Sequence, residues 1–189
     1  FTLAAIPELS AISLLQTLGL GIVFGALASL FCRAMHMGGT LYKKIENPYL
    51  RIVVGGCIVA LLSLLVRSGD YNGAGMSVIS AALAGHAVPW AFALKIVFTV
   101  LTLGAGFKGG EIVPCFFVGA TCGCVVAPLL GMDAGFGAAL GLIAVFCGVT
   151  NSPMTSILLG YELFGGQGLA LLAMCAAVSY LLSGYSGLY

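Results

Sequence analysis

The most constraining feature of this sequence is a series of apolar runs long enough to cross a lipid bilayer. A spanning helix needs about 20 mostly apolar residues, and the three strongest candidates are residues 13–32, 50–66 and 90–106. Only 7% of the 189 residues are charged and 61% are hydrophobic, whereas a soluble domain carries roughly 25% charged residues. The sequence therefore predicts an all-α integral membrane protein.

The charges between the first two runs predict the orientation of the chain. Arg33 and His36 are expected to close the first span, and the segment 33–51 holds four basic residues against one acid, Glu46. Such an excess of Lys and Arg is typical of cytoplasmic loops. After the second run, the Gly- and Pro-rich segment 68–89 predicts a loop on the opposite side, with one short helix near Met76–Leu83.

Composition also argues against several classes of function. The net charge is +1 and the chain has no basic tract, which speaks against nucleic-acid binding. The seven cysteines lie mostly in apolar runs, where a free Cys packs as a small hydrophobe. Neither a metal centre nor another cofactor is predicted. Residue 1 is Phe rather than Met, so we expect a fragment of a longer protein.

Lys95 and the second half of the chain need separate interpretation. Lys95 lies in the first turns of the third span and either extends to the interface or pairs inside the bundle, and the interfacial position is preferred.

After residue 111 the apolar segments become short and are interrupted by Gly and Pro. Segments of about 10–14 apolar residues predict tilted or re-entrant half-helices, which in membrane proteins often surround a transport site.

The motif "GFKGGEIVP" predicts a sharp turn and the start of a helix. Gly109 and Gly110 permit the turn, and Pro114 is favoured in a first helical turn because its missing N–H would have no acceptor there. The helix is therefore expected to begin between Glu111 and Pro114.

The start of this helix is a candidate anion site. The backbone N–H groups of Glu111, Ile112 and Val113 would lack intrahelical acceptors at the positive end of the helix dipole, and an anion can occupy such a position. For the Glu111 side chain three interpretations stay open: stabilisation of the helix start, exchange of protons or shaping of an anion path, and an ion pair with Lys108.

A second helix start is predicted in "GVTNSPM". Thr150, Asn151 and Ser152 are all capable N-caps directly before Pro153, which is favoured at a first helical position. Capping alone is sufficient to explain these residues.

The segments "GFKGGEIVPCFFVGATCG", "GLIAVFCGVTNSPMTSILLGYELFG" and "SGYSGLY" resemble the helix-N, helix-O-to-P and pre-helix-R regions of the CLC family of anion channels and proton-coupled anion transporters. Lys95 and "YNGAG" agree in order and spacing. The resemblance implies a CLC-type bundle of tilted and broken helices, in which residues 1–189 form one of two inverted-repeat halves, about helices J to Q. It also implies that the full-length protein forms a homodimer in a lipid bilayer, the bacterial plasma membrane.

The resemblance further implies where the anion binds. The family's "GxFxP" element falls on residues 110–114, so that the amides of Glu111 and Ile112 face the ion. The family's central tyrosine hydroxyl falls on Tyr189, with Tyr185 as the alternative register. Chloride or fluoride and protons are the partners that this implies.

Two departures from the family pattern matter. The usual chloride pattern has apolar residues after the paired glycines, whereas "GGEIVP" resembles the fluoride/proton antiporter branch, so chloride and fluoride both stay open. The family's "GSGIP" and "GKEGP" elements do not occur here. The chain is thus expected to be a truncated protein or a half that is inactive without a partner.

A membrane-embedded hydrolase is a remote alternative. A nucleophile needs a base within hydrogen-bond reach, but no G-x-S-x-G element occurs, and His36 and His86 lie far along the sequence from the serines of the later apolar segments.

Overall fold

The computed structural model describes residues 1, 6–184 and 187. In this part of the chain eight α-helices are joined by short turns. Their bounds are α1 Ala11–Tyr42, α2 Pro48–Val66, α3 Met76–Leu83, α4 Ala91–Gly104, α5 Ile112–Val126, α6 Ala134–Thr150, α7 Pro153–Phe164 and α8 Leu169–Ser183, with a 3-10 turn at Ala127–Leu130 after α5.

The first helix is longer than the apolar run predicts. The expected end at Arg33 and His36 is wrong, because α1 continues to Tyr42. A hydropathy pattern shows where the side chains stop being apolar enough to face lipid. The helix itself continues for as long as its backbone hydrogen bonds continue. Arg33 and His36 are exposed, while Met35 and Gly38 between and after them are buried, so packing supports the added turns. With 32 residues, α1 is about 48 Å long, which exceeds the hydrocarbon thickness of about 30 Å.

The second helix agrees with the predicted span and lies at the margin of the bundle. It begins at Pro48 after Asn47, whose side-chain oxygen accepts a hydrogen bond from Tyr49 N at 3.0 Å. Gly55 is the one fully buried residue of α2. The described chain therefore leaves most of the surface of this apolar helix uncovered.

Several later helices are short, as the interrupted apolar segments predict. The short helix near Met76–Leu83 is present as α3, with eight residues, and α7 has twelve. At 1.5 Å per residue these helices measure about 12 and 18 Å, too little to cross a bilayer.

The core is built around α6, whose residues 135–149 are all buried. Helix α5 crosses it at two pairs of glycines, Gly119 with Gly141 and Gly123 with Gly137, where a Cβ on either partner would meet the backbone of the other helix. Such small-residue spacing lets membrane helices approach closely. The crossing fixes α5, and with it the position where α5 begins.

Candidate functional site

The turn from α4 into α5 leaves the first amides of α5 without acceptors. Glu111 is the N-cap residue, α5 begins at Ile112, and Pro114 is its third residue. Cys115 N is the first amide of this helix to bond back, to Glu111 O at 3.2 Å. The N–H groups of Ile112 and Val113 have no acceptor among the described residues, so the positive end of α5 is open to an incoming group.

Glu111 is half-buried at this helix start. Its carbonyl accepts hydrogen bonds from Cys115 N and, at 3.0 Å, from the Cys115 thiol. Within the described part of the chain its carboxylate makes no ion pair with Lys108, so that interpretation is wrong.

Lys95 does not extend to the interface, and the preferred interpretation from the sequence is therefore wrong. Its side chain is only 2% exposed. The ammonium donates hydrogen bonds to Tyr71 O at 3.1 Å and to Gly73 O, and it lies 4.9 Å from the centroid of the Phe117 ring. Carbonyl groups of the loop between α2 and α3 accept the hydrogen bonds of this ammonium inside the bundle. The pattern of apolar residues along α4 does not reveal these acceptors.

The loop that receives Lys95 is packed against α4 and α5. Tyr71 stacks on Phe98 with ring centroids 5.8 Å apart and meets the edge of Phe117 at 6.0 Å. Gly75 has φ +69°, and a Cβ there would lie 2.6 Å from the Phe117 ring. A glycine is therefore required at this turn by its backbone conformation and by the close ring.

These elements enclose a cleft of about 380 Å³. It is lined by residues of the loop, of one face of α4 and of the start of α5: Tyr71, Asn72, Gly73, Ala74, Lys95, Phe98, Thr99, Thr102, Leu103, Lys108, Gly109, Gly110, Val113 and Pro114. The cleft combines two lysines with the start of α5, where Val113 N has no acceptor among the described residues. The positive charge in the wall of this cleft therefore favours the binding of an anion.

The structure brings some of the predicted site residues together and separates others. Gly110 and Val113 line the cleft together with the turn residues Gly109 and Pro114, whereas Glu111 and Ile112 are not part of its wall. Tyr189 and its alternative Tyr185 lie outside the described residues. In the described part of the chain no three His, Cys, Asp or Glu side chains are placed to hold a metal ion.

The second predicted helix start has a different arrangement from the one expected. Helix α7 begins at Pro153 and Ser152 is its N-cap residue, but the Ser152 hydroxyl donates to Thr150 O at 3.1 Å and makes no cap bond to α7. Thr150 ends α6, and Asn151, with φ +53°, is the C-cap of that helix. Asn can adopt this left-handed conformation at low cost, so two of the three expected N-caps terminate the preceding helix instead.

Sequence reasoning missed the polar face of α4. Thr99 and Thr102 line the cleft with Lys95, and the spacing i, i+4, i+7 places all three on one side of a helix. This periodicity was a usable signal, since three polar residues in an otherwise apolar span indicate a face turned away from lipid.

The chain is similar to known proteins in both sequence and fold. The sequence profile of a family described as "Voltage gated chloride channel" matches residues 1–184. A "Chloride/fluoride channel protein" from Pseudomonas syringae pv. tomato (strain ATCC BAA-871 / DC3000) is 36% identical over 184 residues, which cover 94% of this chain and 41% of that protein.

A solved structure extends the similarity to the whole described fold. It is the crystal structure of a CLC-type fluoride/proton antiporter, which matches with a TM-score of 0.95 and 32% sequence identity and covers 100% of this chain and 48% of the solved one. The chain therefore spans less than half the length of each of these two relatives.

Proposed function

Because this chain belongs to the voltage-gated chloride channel family, we propose that it is part of a membrane protein that moves a halide, chloride or fluoride, across a bilayer. The membership confirms the resemblance that "GFKGGEIVP" and the later motifs carry. It also confirms the CLC-type helical fold, which the solved antiporter shares. The family is one of channels and transporters, so the hydrolase alternative is excluded.

The observation that carries the proposal is the open start of α5 at a cleft with lysines in its wall. The amides near Gly110, Glu111, Ile112 and Val113 supply partial positive charge, and the N–H groups of Ile112 and Val113 are unpaired in the described part. Partial charges of this kind can replace the hydration shell of an ion without holding it too tightly. Tyr189 would add its hydroxyl to the anion site in the register that the family pattern gives.

Fluoride is the halide that the sequence of this helix start favours. Glu111 stands where the usual chloride pattern has an apolar residue, and the solved relative with 32% identity is a fluoride/proton antiporter. In an antiporter a carboxylate near the anion path can exchange protons, because its pKa responds to a neighbouring anion and to desolvation. We assign this proton-exchanging role to Glu111, whose half-buried side chain lies beside the helix start rather than in the cleft wall.

The chain is proposed as one part of the transporter and not as the whole. It corresponds to about helices J to Q of the family fold, and the rest of the full-length protein would complete the pore. Two full-length subunits would form a homodimer in the bacterial plasma membrane. Exposed apolar residues one turn apart on α7 support such an interface, since Met154 is 77% and Leu158 65% exposed.

Halide efflux from liposomes that contain the full-length protein tests the proposal. We expect fluoride efflux above that of protein-free liposomes, accompanied by proton movement in the opposite direction, with chloride efflux slower. Chloride efflux without proton movement would assign the protein to the channels of the family. If neither halide leaves faster than from protein-free liposomes, the transport proposal is wrong.

A further inference from the structure

Lys95 carries the one buried formal charge in the described part of the chain. Helix α4 places it on the same face as Thr99 and Thr102. A lysine is almost never fully buried unless it is paired. Its charge therefore requires a physical explanation.

The groups that contact the ammonium do not neutralise it. Tyr71 O lies 3.1 Å from Nζ, Gly73 O accepts a second hydrogen bond, and the Phe117 ring centroid is 4.9 Å away. Carbonyl oxygens and a ring face carry only partial negative charge. Both hydrogen bonds that Lys95 donates within the described residues go to backbone carbonyls and neither goes to a carboxylate, so the burial of a full charge is incompletely compensated.

The same cleft holds a second positive feature. Lys95 lines the same cavity as Gly109, Gly110 and Val113 at the start of α5, where Val113 N has no acceptor among the described residues. The positive end of a helix dipole and a fixed ammonium act in the same direction on an ion in the cleft. Lys108, which is exposed, adds to this field at the edge of the cleft.

We propose that the transported halide is the counter-ion of Lys95, and that this residue sets the affinity of the cleft for anions. The inference rests on the proposed function and deepens it, because it names the charge that draws the halide to the helix start. Lys95 also ties the loop at Tyr71 and Gly73 to α4. It thus positions one wall of the cleft and supplies the charge within it.

Removal of this charge tests the inference in the full-length protein. In Lys95→Met we expect the Kd for fluoride, measured by calorimetry on the folded fraction, to rise at least about tenfold. Lys95→Arg keeps the charge and should bind within about threefold of wild type. Lys43→Met is the matched control, since Lys43 is an exposed residue just after α1, and we expect its Kd to equal that of wild type.

A second pair of variants separates the charge from the support of the loop. Thr99→Asp places a carboxylate one turn from Lys95 and leaves the lysine itself intact, whereas Thr99→Asn is nearly the same shape without the charge. We expect Thr99→Asp to bind fluoride at least about tenfold more weakly than Thr99→Asn. This comparison holds even if Lys95→Met fails to fold.

The outcomes distinguish this inference from the proposed function. The role of Lys95 is overturned if Thr99→Asp and Thr99→Asn bind fluoride equally well, or if Lys95→Met binds it as well as wild type does. The proposed function survives either result if the wild-type protein still moves halide. A wild-type protein that binds fluoride through Lys95 but moves no halide overturns the transport proposal instead.

Discussion

At the scale of single residues, three charged side chains lie at the site: Glu111 at the N-cap of α5, and Lys95 and Lys108 in the cleft wall. Glu111 and Lys108 follow directly from the "GFKGGEIVP" motif, and the helix start is where the motif predicts it. The spacing of Lys95, Thr99 and Thr102 indicates a face of α4 turned away from lipid, but it does not identify the acceptors of Lys95, which are carbonyls of a loop 22 and 24 residues earlier in the chain. Every residue has a backbone carbonyl, so the sequence does not show which of them accepts a hydrogen bond from Lys95.

The proton role of Glu111 leads to a first prediction. In Glu111→Gln the carboxylate is lost and the shape is retained, so we expect halide-driven proton movement in liposomes to fall at least about tenfold. Fluoride binding should stay within about threefold, because backbone amides hold the ion. Glu162→Gln is the control, since Glu162 is exposed on α7 and should leave proton movement unchanged. If halide-driven proton movement is unchanged in Glu111→Gln, Glu111 serves only to stabilise the start of α5.

Asn151 provides a second prediction at this scale. Its φ of +53° suits Asn and Gly but not a β-branched residue. We expect Asn151→Val to lower the stability of the protein by roughly 1–2 kcal/mol and Asn151→Gly to change it by only a few tenths. Thermal unfolding in detergent measures both. Equal midpoints for the two variants would contradict the left-handed cap.

At the scale of helices, Gly and Pro predict where elements start more reliably than hydropathy predicts where they end. Pro48, Pro114 and Pro153 all fall in first turns, because proline lacks the N–H that later turns need. The sequence does not predict the end of α1, because the helix runs past the charges at Arg33 and His36 and also through Gly38 and Gly39 to Tyr42. The crossing of α5 and α6 at their glycines could not be predicted. The spacing of glycines along a sequence shows that a helix has a face of small residues, but it does not show which other helix packs against that face.

The crossing leads to a third prediction. A Cβ at Gly119 would meet the backbone of α6 at Gly141 and Leu142, and overpacking of this kind costs roughly 1–3 kcal/mol. We expect Gly119→Ala to lower the unfolding midpoint in detergent by several degrees. Gly39→Ala is the control, because a Cβ there has no atom within 4 Å and alanine favours a helix. An unchanged midpoint for Gly119→Ala would show that the helices can separate at little cost.

At the scale of the whole molecule, the described chain leaves apolar surfaces uncovered on α2 and α7. Both consist of exposed aliphatic side chains, with Leu64 75% and Leu158 65% exposed. The proposed function connects α7 with the dimer interface through its exposed Met154 and Leu158.

A fourth prediction tests that connection. In the full-length protein Leu158→Trp adds bulk to the proposed dimer surface and should shift the population toward monomers, measured by single-molecule photobleaching in liposomes. Leu64→Trp makes the same change at a similarly exposed position of α2 and should leave the dimer intact. A dimer that tolerates the first substitution and not the second would move the interface to α2.

The burial of α6 on every side has a consequence for how this chain is assembled. A helix whose middle fifteen positions, 135–149, are all enclosed cannot be inserted after its neighbours have closed around it. It has to be present while α5, α1 and α8 come together, and it can leave only when they separate. Its backbone amides should therefore exchange with solvent last, and only when the bundle opens as a whole.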